Sequence, residues 1–283
     1  MRLTHRSLVL AAMVVLLNWL VVPLYGGEPK MDVDTLVAQH LNAMGSAEVR
    51  AAAKTRVVRS LATYRLVVGG SGQVNGQMGL VTDANKVRFM LKLAEQDYKG
   101  ENFAFDGDRL QAAFSNSKHT HSALANFVLS QDAIFREGLM GGTLSTNWAL
   151  SNLAANKARL EYKGLKKVDG HPAHEVRYSS PKTSDLEISM YFDPETFHHI
   201  KTVYSLWIGT SMAHDSLSSV RTESGSESGA NAIKRDHTTL EERFSDFKTV
   251  DGLTMPTHWS LEFTLELPNG VTTISQWDFP NSR

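Results

Sequence analysis

Three close histidine pairs carry the best case for metal chemistry among the chain's 11 histidines: His119-x-His121, His171-x-x-His174 and His198-His199. Two imidazoles at i, i+2 on a strand share a face and can hold one ion, but a stable site needs further ligands. His119 and His121 fall where the sequence reads as loop. His198 and His199 would point to opposite faces of a strand, and no Asp or Glu pair supplies the missing ligands. No metal site is expected. Asp106-Gly107-Asp108 brings two carboxylates together, yet Asp-Gly is first of all a turn signal. Gly70-x-Gly72-x-x-x-Gly76 opens a strand where a dinucleotide fingerprint would open a helix. Gly225-Ser226-Glu227-Ser228-Gly229 puts Glu where a nucleophile elbow needs Ser. No nucleophile–base–acid set stands out, so neither an enzyme nor a cofactor is expected.

Composition narrows the classes further. The 283 residues contain no Cys, which excludes disulfides, thiol catalysis, Cys-ligated zinc, Fe–S clusters and a lipid-modified N-terminal Cys. Lys and Arg number 29 against 30 Asp and Glu, so no electrostatic reason exists to expect nucleic acid as a partner. Apolar residues make up 42% and charged ones 21%. That balance excludes a chain disordered throughout, and the length admits one large all-β domain or two ordinary ones. Arg2, His5 and Arg6 precede an apolar run from Leu8 to Leu24, broken only by Asn18 and Pro23. A short basic region before such a run reads as a signal peptide over 1–27, or as an uncleaved N-terminal anchor in the inner membrane. Either way the remainder is expected to be periplasmic or secreted.

The elements that would position any site follow from periodicity. Asp34 is expected to cap a helix over Leu36–Met44 that ends at Gly45, with Leu36, Val37, His40, Leu41 and Met44 on one face. Ser46 opens a short helical turn, Glu48–Lys54. From Arg56 the period changes to 2, and about five strands form a meander up to Phe114, with Val87, Phe89, Leu91 and Leu93 alternating against polar neighbours. The pattern breaks over 117–155, read as a helical insertion with Ser122 as a cap and Leu124, Phe127 and Val128 as its apolar stripe. A second β-run follows, with Leu186, Ile188, Met190 and Phe192 in alternation, then Trp259, Leu261, Phe263, Leu265 and Leu267. Residues 209–236, rich in Ser, Gly and charge, read as a flexible loop. Lys167-Val168-Asp169-Gly170 recurs as Lys248-Thr249-Val250-Asp251-Gly252, which a shared Asp-Gly hairpin turn explains. The expected fold is mainly β (α+β) without strand–helix–strand units. It is an antiparallel β-barrel of about 11–12 strands with helices on its concave side.

Three hairpins carry a family resemblance. Gly164-Leu165-Lys166-Lys167-Val168-Asp169-Gly170-His171-Pro172-Ala173-His174-Glu175-Val176, Met190-Tyr191-Phe192-Asp193-Pro194-Glu195-Thr196-Phe197 and Phe247-Lys248-Thr249-Val250-Asp251-Gly252-Leu253-Thr254-Met255-Pro256 are similar to hairpin signatures of the LolA/LolB-like superfamily. The resemblance covers 32–283. It implies an unclosed barrel plugged by helices and a protein that carries lipoprotein acyl chains across the periplasm, holds lipids, or senses lipoproteins within an envelope complex. It also implies an early-strand arginine that pins the helical lid, with Arg56, Arg59 and Arg65 as candidates and no local motif choosing among them. The expected partner is a lipid or lipoprotein acyl chain, with an envelope protein as the alternative. The candidate lining is Phe89 and Leu91 of the first meander, Leu124, Phe127 and Val128 of the insertion, and Ile188, Met190, Phe192, Leu261, Phe263 and Leu265 of the second. The same side chains would equally make an ordinary dry core.

Overall fold

The chain is described here by a computed structural model that covers residues 31–183, 185–209 and 235–282. Helix α1 (Val33–Met44) buries Leu36, Val37, His40 and Met44, while Leu41 is only half-buried. It starts earlier than the cap signal implies. Asp34 lies inside the first turn, where its charge still complements the positive end of the helix dipole. Gly45 follows at φ +138°, and a Cβ there would stand 2.6 Å from the Gly252 carbonyl oxygen, so only glycine lets the helix end meet that hairpin. Ser46 caps α2 (Ala47–Ala52) by accepting from the Val49 amide at 3.3 Å.

The first meander comprises β1 (Thr55–Val68), β2 (Gln73–Asp83), β3 (Lys86–Leu93), β4 (Asn102–Phe105) and β5 (Leu110–Ala112). The second comprises β6 (Arg159–Val168), β7 (His171–Ser179), β8 (Leu186–Phe192), β9 (His199–Gly209), β10 (Arg235–Val250), β11 (Leu253–Glu266) and β12 (Thr272–Phe279). Most of the expected flexible loop, and the whole expected signal segment 1–27, lie outside the described residues. Asp169 and Gly170 take φ of 51° and 87°, and Asp251 and Gly252 take 51° and 78°. Positive φ at both central positions is the type I′ turn, so the repeated motif is a repeated turn. The Asp106 carboxylate accepts from the Asp108 and Arg109 amides at 2.9 and 2.8 Å; it shapes a turn, as the Asp-Gly signal indicates.

All 12 strands form one antiparallel sheet in the order β5-β4-β3-β2-β1-β12-β11-β10-β9-β8-β7-β6. β5 and β6 are its two unpaired edges, so the sheet does not close. The segment between them must cross from one edge to the other, and it does so over the buried face. Curvature shows in one contact: β3 and β11 are four strands apart, roughly 19 Å along a flat sheet, yet the rings of Phe89 and Trp259 lie 5.5 Å apart.

The crossing segment is less helical than expected. It holds α3 (Ala123–Ser130), α4 (Ala133–Arg136), 3-10 turns at Gly142–Leu144 and Ala149–Ser151, and α5 (Leu153–Asn156). Gly138, Gly141 and Gly142 all have positive φ and interrupt any longer helix. A Cβ on Gly138 would fall 1.6 Å from the Asn147 carbonyl oxygen, so the plug doubles back on itself there. Apolar burial, not helical periodicity, holds it: Ile134, Phe135, Leu139 and Ala149 are fully buried. Among the described residues no helix is long and apolar enough to cross a membrane.

Candidate functional site

The inward face of the sheet is an apolar wall with the plug seated on it. Phe89 meets Phe103, Trp259 and Phe279 at ring distances of 5.5–6.0 Å. Leu91, Ile188, Met190, Phe192, Leu261 and Phe263 are all buried on this face. Leu265, near the end of β11, is half-buried. From the plug, Leu124, Phe127 and Val128 are buried on α3, and Phe127 packs on Phe263 at 5.7 Å. The residues read from sequence as lining thus lie on one wall or on the plug element facing it.

Polar bonds at the seam between plug and sheet are few and specific. Glu242, in the inward row of β10 between Leu240 and Phe244, is fully buried. Its Oε2 accepts from the Gly141 amide at 2.8 Å and from Trp259 Nε1 at 3.0 Å, and its Oε1 from the Tyr204 hydroxyl at 2.7 Å. Burial pushes its pKa up to about 7, against the pull of those hydrogen bonds. Burial, and then the neighbouring Glu242 charge, also push the Tyr204 phenol well up. A second buried acid, Glu101, accepts from Tyr98 at 2.7 Å and from Ser122 at 2.6 Å. Burial raises it to about 7 as well. Ser122 caps α3 by accepting from the Ala125 amide at 2.9 Å, and Tyr98 accepts from Trp277 Nε1 at 3.0 Å. One chain of bonds therefore runs from β12 to the start of α3. A third acid, Glu137 beside α4, accepts from Tyr178 at 2.7 Å and from Ser180 at 2.5 Å.

Two histidines complete the seam. Trp148 Nε1 can only donate, and it reaches His40 Nε2 at 3.0 Å. The ring proton therefore sits on Nδ1 and is donated to the Phe197 carbonyl at 2.9 Å. Burial lowers the His40 pKa to about 4, and burial followed by His40 itself lowers that of His199 far below its usual value. His199 Nε2 pairs with the Thr202 hydroxyl at 2.8 Å. Among the described residues, Thr143 Oγ1 and Thr146 Oγ1 are buried without a hydrogen-bond partner.

Of the three candidate pinning arginines, the structure brings Arg56 to the plug. Its Nη1 donates to the Thr143 carbonyl at 2.7 Å. Arg59 lines a depression of about 670 Å³ on the opposite, solvent face with Leu61, Gly79 and Lys92. Arg65 bonds Gln73 at the surface. Of the histidine pairs, His119 and His121 both pack on the Phe114 ring, His174 bonds the Tyr162 hydroxyl, and only His198 and His199 part, the first stacking on Phe247 and the second buried. Among the described residues no group of three or more His, Cys, Asp or Glu could hold a metal ion.

Sequence reasoning missed the buried acids, although Glu242 carried a signal. It falls in phase with Leu240 and Phe244 in a two-residue period, where an acid on a half-buried strand is out of place. His40 sat visibly in the α1 stripe; its partners did not.

No family model matches the sequence, and no curated protein matches it. Among solved structures, the chain is similar to a LolA superfamily protein from Nitrosomonas europaea, at 10% identity and a TM-score of 0.41, over 89% of this chain and 93% of that one. It is similar to an outer membrane lipoprotein-sorting protein domain from Vibrio parahaemolyticus, at 10% identity and 0.38, over 87% and 90%. The MucA/MucB complex of Pseudomonas aeruginosa follows at 11% identity and 0.24, over 86% and 92%. At these identities the likeness concerns the fold alone. The architecture itself is the one expected from the sequence: an antiparallel sheet that curls without closing, with short helices against its concave side.

Proposed function

We propose that this chain is an exported, non-catalytic holder of a hydrophobic ligand of the acyl-chain type, with the segment between β5 and β6 as its displaceable lid. One observation carries the reading. The apolar wall is covered by a plug of short helices and turns, not by a second sheet. A ligand that displaced the plug would replace apolar contact with apolar contact. Each buried methylene contributes about 0.8 kcal/mol, so a chain of a dozen offsets the binding entropy and the loss of a few seam bonds. The lipoprotein-sorting name of one similar structure agrees with this reading. The alternative, a scaffold that binds an envelope protein, is what failure would leave.

Native mass spectrometry of the purified protein and titration with a neutral fluorescent lipid probe test it. Saturable binding with an unchanged far-UV circular dichroism spectrum is expected. Met190→Lys, which puts a charge on the wall while its stem can still pack, should weaken binding. A folded protein that takes up no lipid and no probe would overturn the proposal.

A further inference from the structure

Beyond Phe244, β10 passes the exposed Asp246, which takes φ 56° and faces His258, and runs on to Lys248 and Val250 at the rim. Lys248 stands opposite Met255 and Val250 opposite Leu253. A pocket of about 360 Å³ opens here, with walls from Val58, Leu144, Val250, Met255 and Pro256 and Lys248 as its charged member. The rest of its lining is hydroxyl and amide, from Thr257, Ser282 and Asn281. Among the described residues no Asp or Glu lines it, and none lies within ion-pair distance of Lys248.

Three features make this more than a dent. Its volume lies at the small end of ligand pockets, about 300–1,000 Å³, and so suits one chain better than several. Val250 is 49% exposed at the mouth, an apolar side chain that a ligand's alkyl chain would cover. Leu144 belongs to the 3-10 turn that Arg56 holds through Thr143, so the pocket abuts the plug. Among the described residues Lys248 is the one charged side chain lining the pocket, and Arg56, next to the plug turn, is engaged with the Thr143 carbonyl.

We infer that this rim pocket selects a single-chain amphiphile with a carboxylate head, the carboxylate pairing with Lys248 and the first part of the chain lying among Val58, Leu144, Val250 and Met255. The inference rests on the hydrophobic-ligand reading and adds to it a preference for negative charge. A neutral head gains no ion pair with the exposed ammonium, and a cationic head would be repelled by it.

The test uses the full chain and three ligands of equal chain length, each below its micelle concentration: decanoate, decanol and decyltrimethylammonium. Each competes with the neutral fluorescent probe. Decanoate should displace it best and decyltrimethylammonium worst, with about a fivefold gap between decanoate and decanol, the scale of a partly exposed ion pair. Lys248→Met should bring decanoate down to the level of decanol and leave decanol unchanged. Lys248→Glu should reverse the order of the two charged ligands. Lys248 is exposed, so both variants should melt as the parent does. If decanol binds and Lys248→Met leaves the decanoate preference intact, the inference is overturned while the hydrophobic-ligand reading stands. If neither the probe nor decanol binds the folded parent, both fall together.

Discussion

Glu242 occupies a position that the sheet's alternation reserves for apolar side chains, and it is tolerated because both of its oxygens have donors. Its raised pKa makes the molecule's stability depend on pH with a definite sign. Below about pH 4.5 the carboxyl is protonated whether the chain is folded or not. Between there and about 7 only the folded chain keeps the proton, so stability falls as pH rises and levels off above that window. Glu101 acts in the same direction over the same range. His40 and His199 oppose them: below about 6.5 the unfolded chain takes protons that the two buried rings refuse, so their contribution rises with pH. The two trends offset one another below pH 6.5, and the carboxyls alone act just above it. Glu242→Gln keeps an acceptor for Gly141 and Trp259 and offers an N–H to the Tyr204 oxygen, imitating the protonated acid. It should remove about half of the carboxyl-driven fall, since two acids of similar shift share it. Urea denaturation of parent and variant from pH 5 to 8 measures this. An unchanged pH profile would mean that Glu242 ionises as freely as a surface acid.

Among the elements, the plug is where sequence and structure part company, and the reasons are physical. The strands were legible because a half-buried antiparallel sheet writes a two-residue period into the chain, as Leu186, Ile188, Met190 and Phe192 do. The hairpin turns were legible because Asp-Gly at positive φ is a local requirement. The plug's stripe on α3 was legible too, but the rest of 117–155 is held by contacts remote in sequence. Gly141 meets an acid 101 residues away, Trp148 a histidine 108 away, and Thr143 an arginine 87 away. No local pattern encodes such pairs, which is why Arg56 could not be told from Arg59 or Arg65. Arg56→Met keeps the stem and deletes the bond to Thr143, a hydrogen bond from a charged group worth about 1.5–3 kcal/mol. The expected outcome is local: the Leu144, Ser145 and Thr146 amides should exchange hydrogen faster while those of β1, β11 and β12 keep their protection. Equal loss of protection throughout the sheet would show that Arg56 supports the fold as a whole and does not hold the plug in particular.

At the scale of the molecule, the two meanders become one sheet only where β12 lies between β1 and β11. The first pairing runs from Thr63↔Asp278 to Val68↔Ile274 and the second from Trp259↔Phe279 to Glu266↔Thr272, so the last strand of the chain ties its beginning to its end. β12 also carries anchors of both halves. The Phe279 ring packs on Phe89 and Trp259, and Trp277 Nε1 donates to Tyr98, the residue that in turn holds Glu101 at the start of the plug. Losing a buried aromatic side chain costs on the order of 3–5 kcal/mol. Two such losses together with a strand's ladder rival the whole stability of a typical domain, about 5–15 kcal/mol. A chain ending at Val271 should therefore lose cooperative unfolding and bury its remaining tryptophans poorly, whereas one ending at Pro280, which keeps β12, should retain a single transition. Near-UV circular dichroism and urea melts of the two truncations decide it. If the shorter chain still unfolds in one sharp transition with native tryptophan signals, the second meander and the plug form a core by themselves, and the β1–β12 seam is only a contact between two self-sufficient halves.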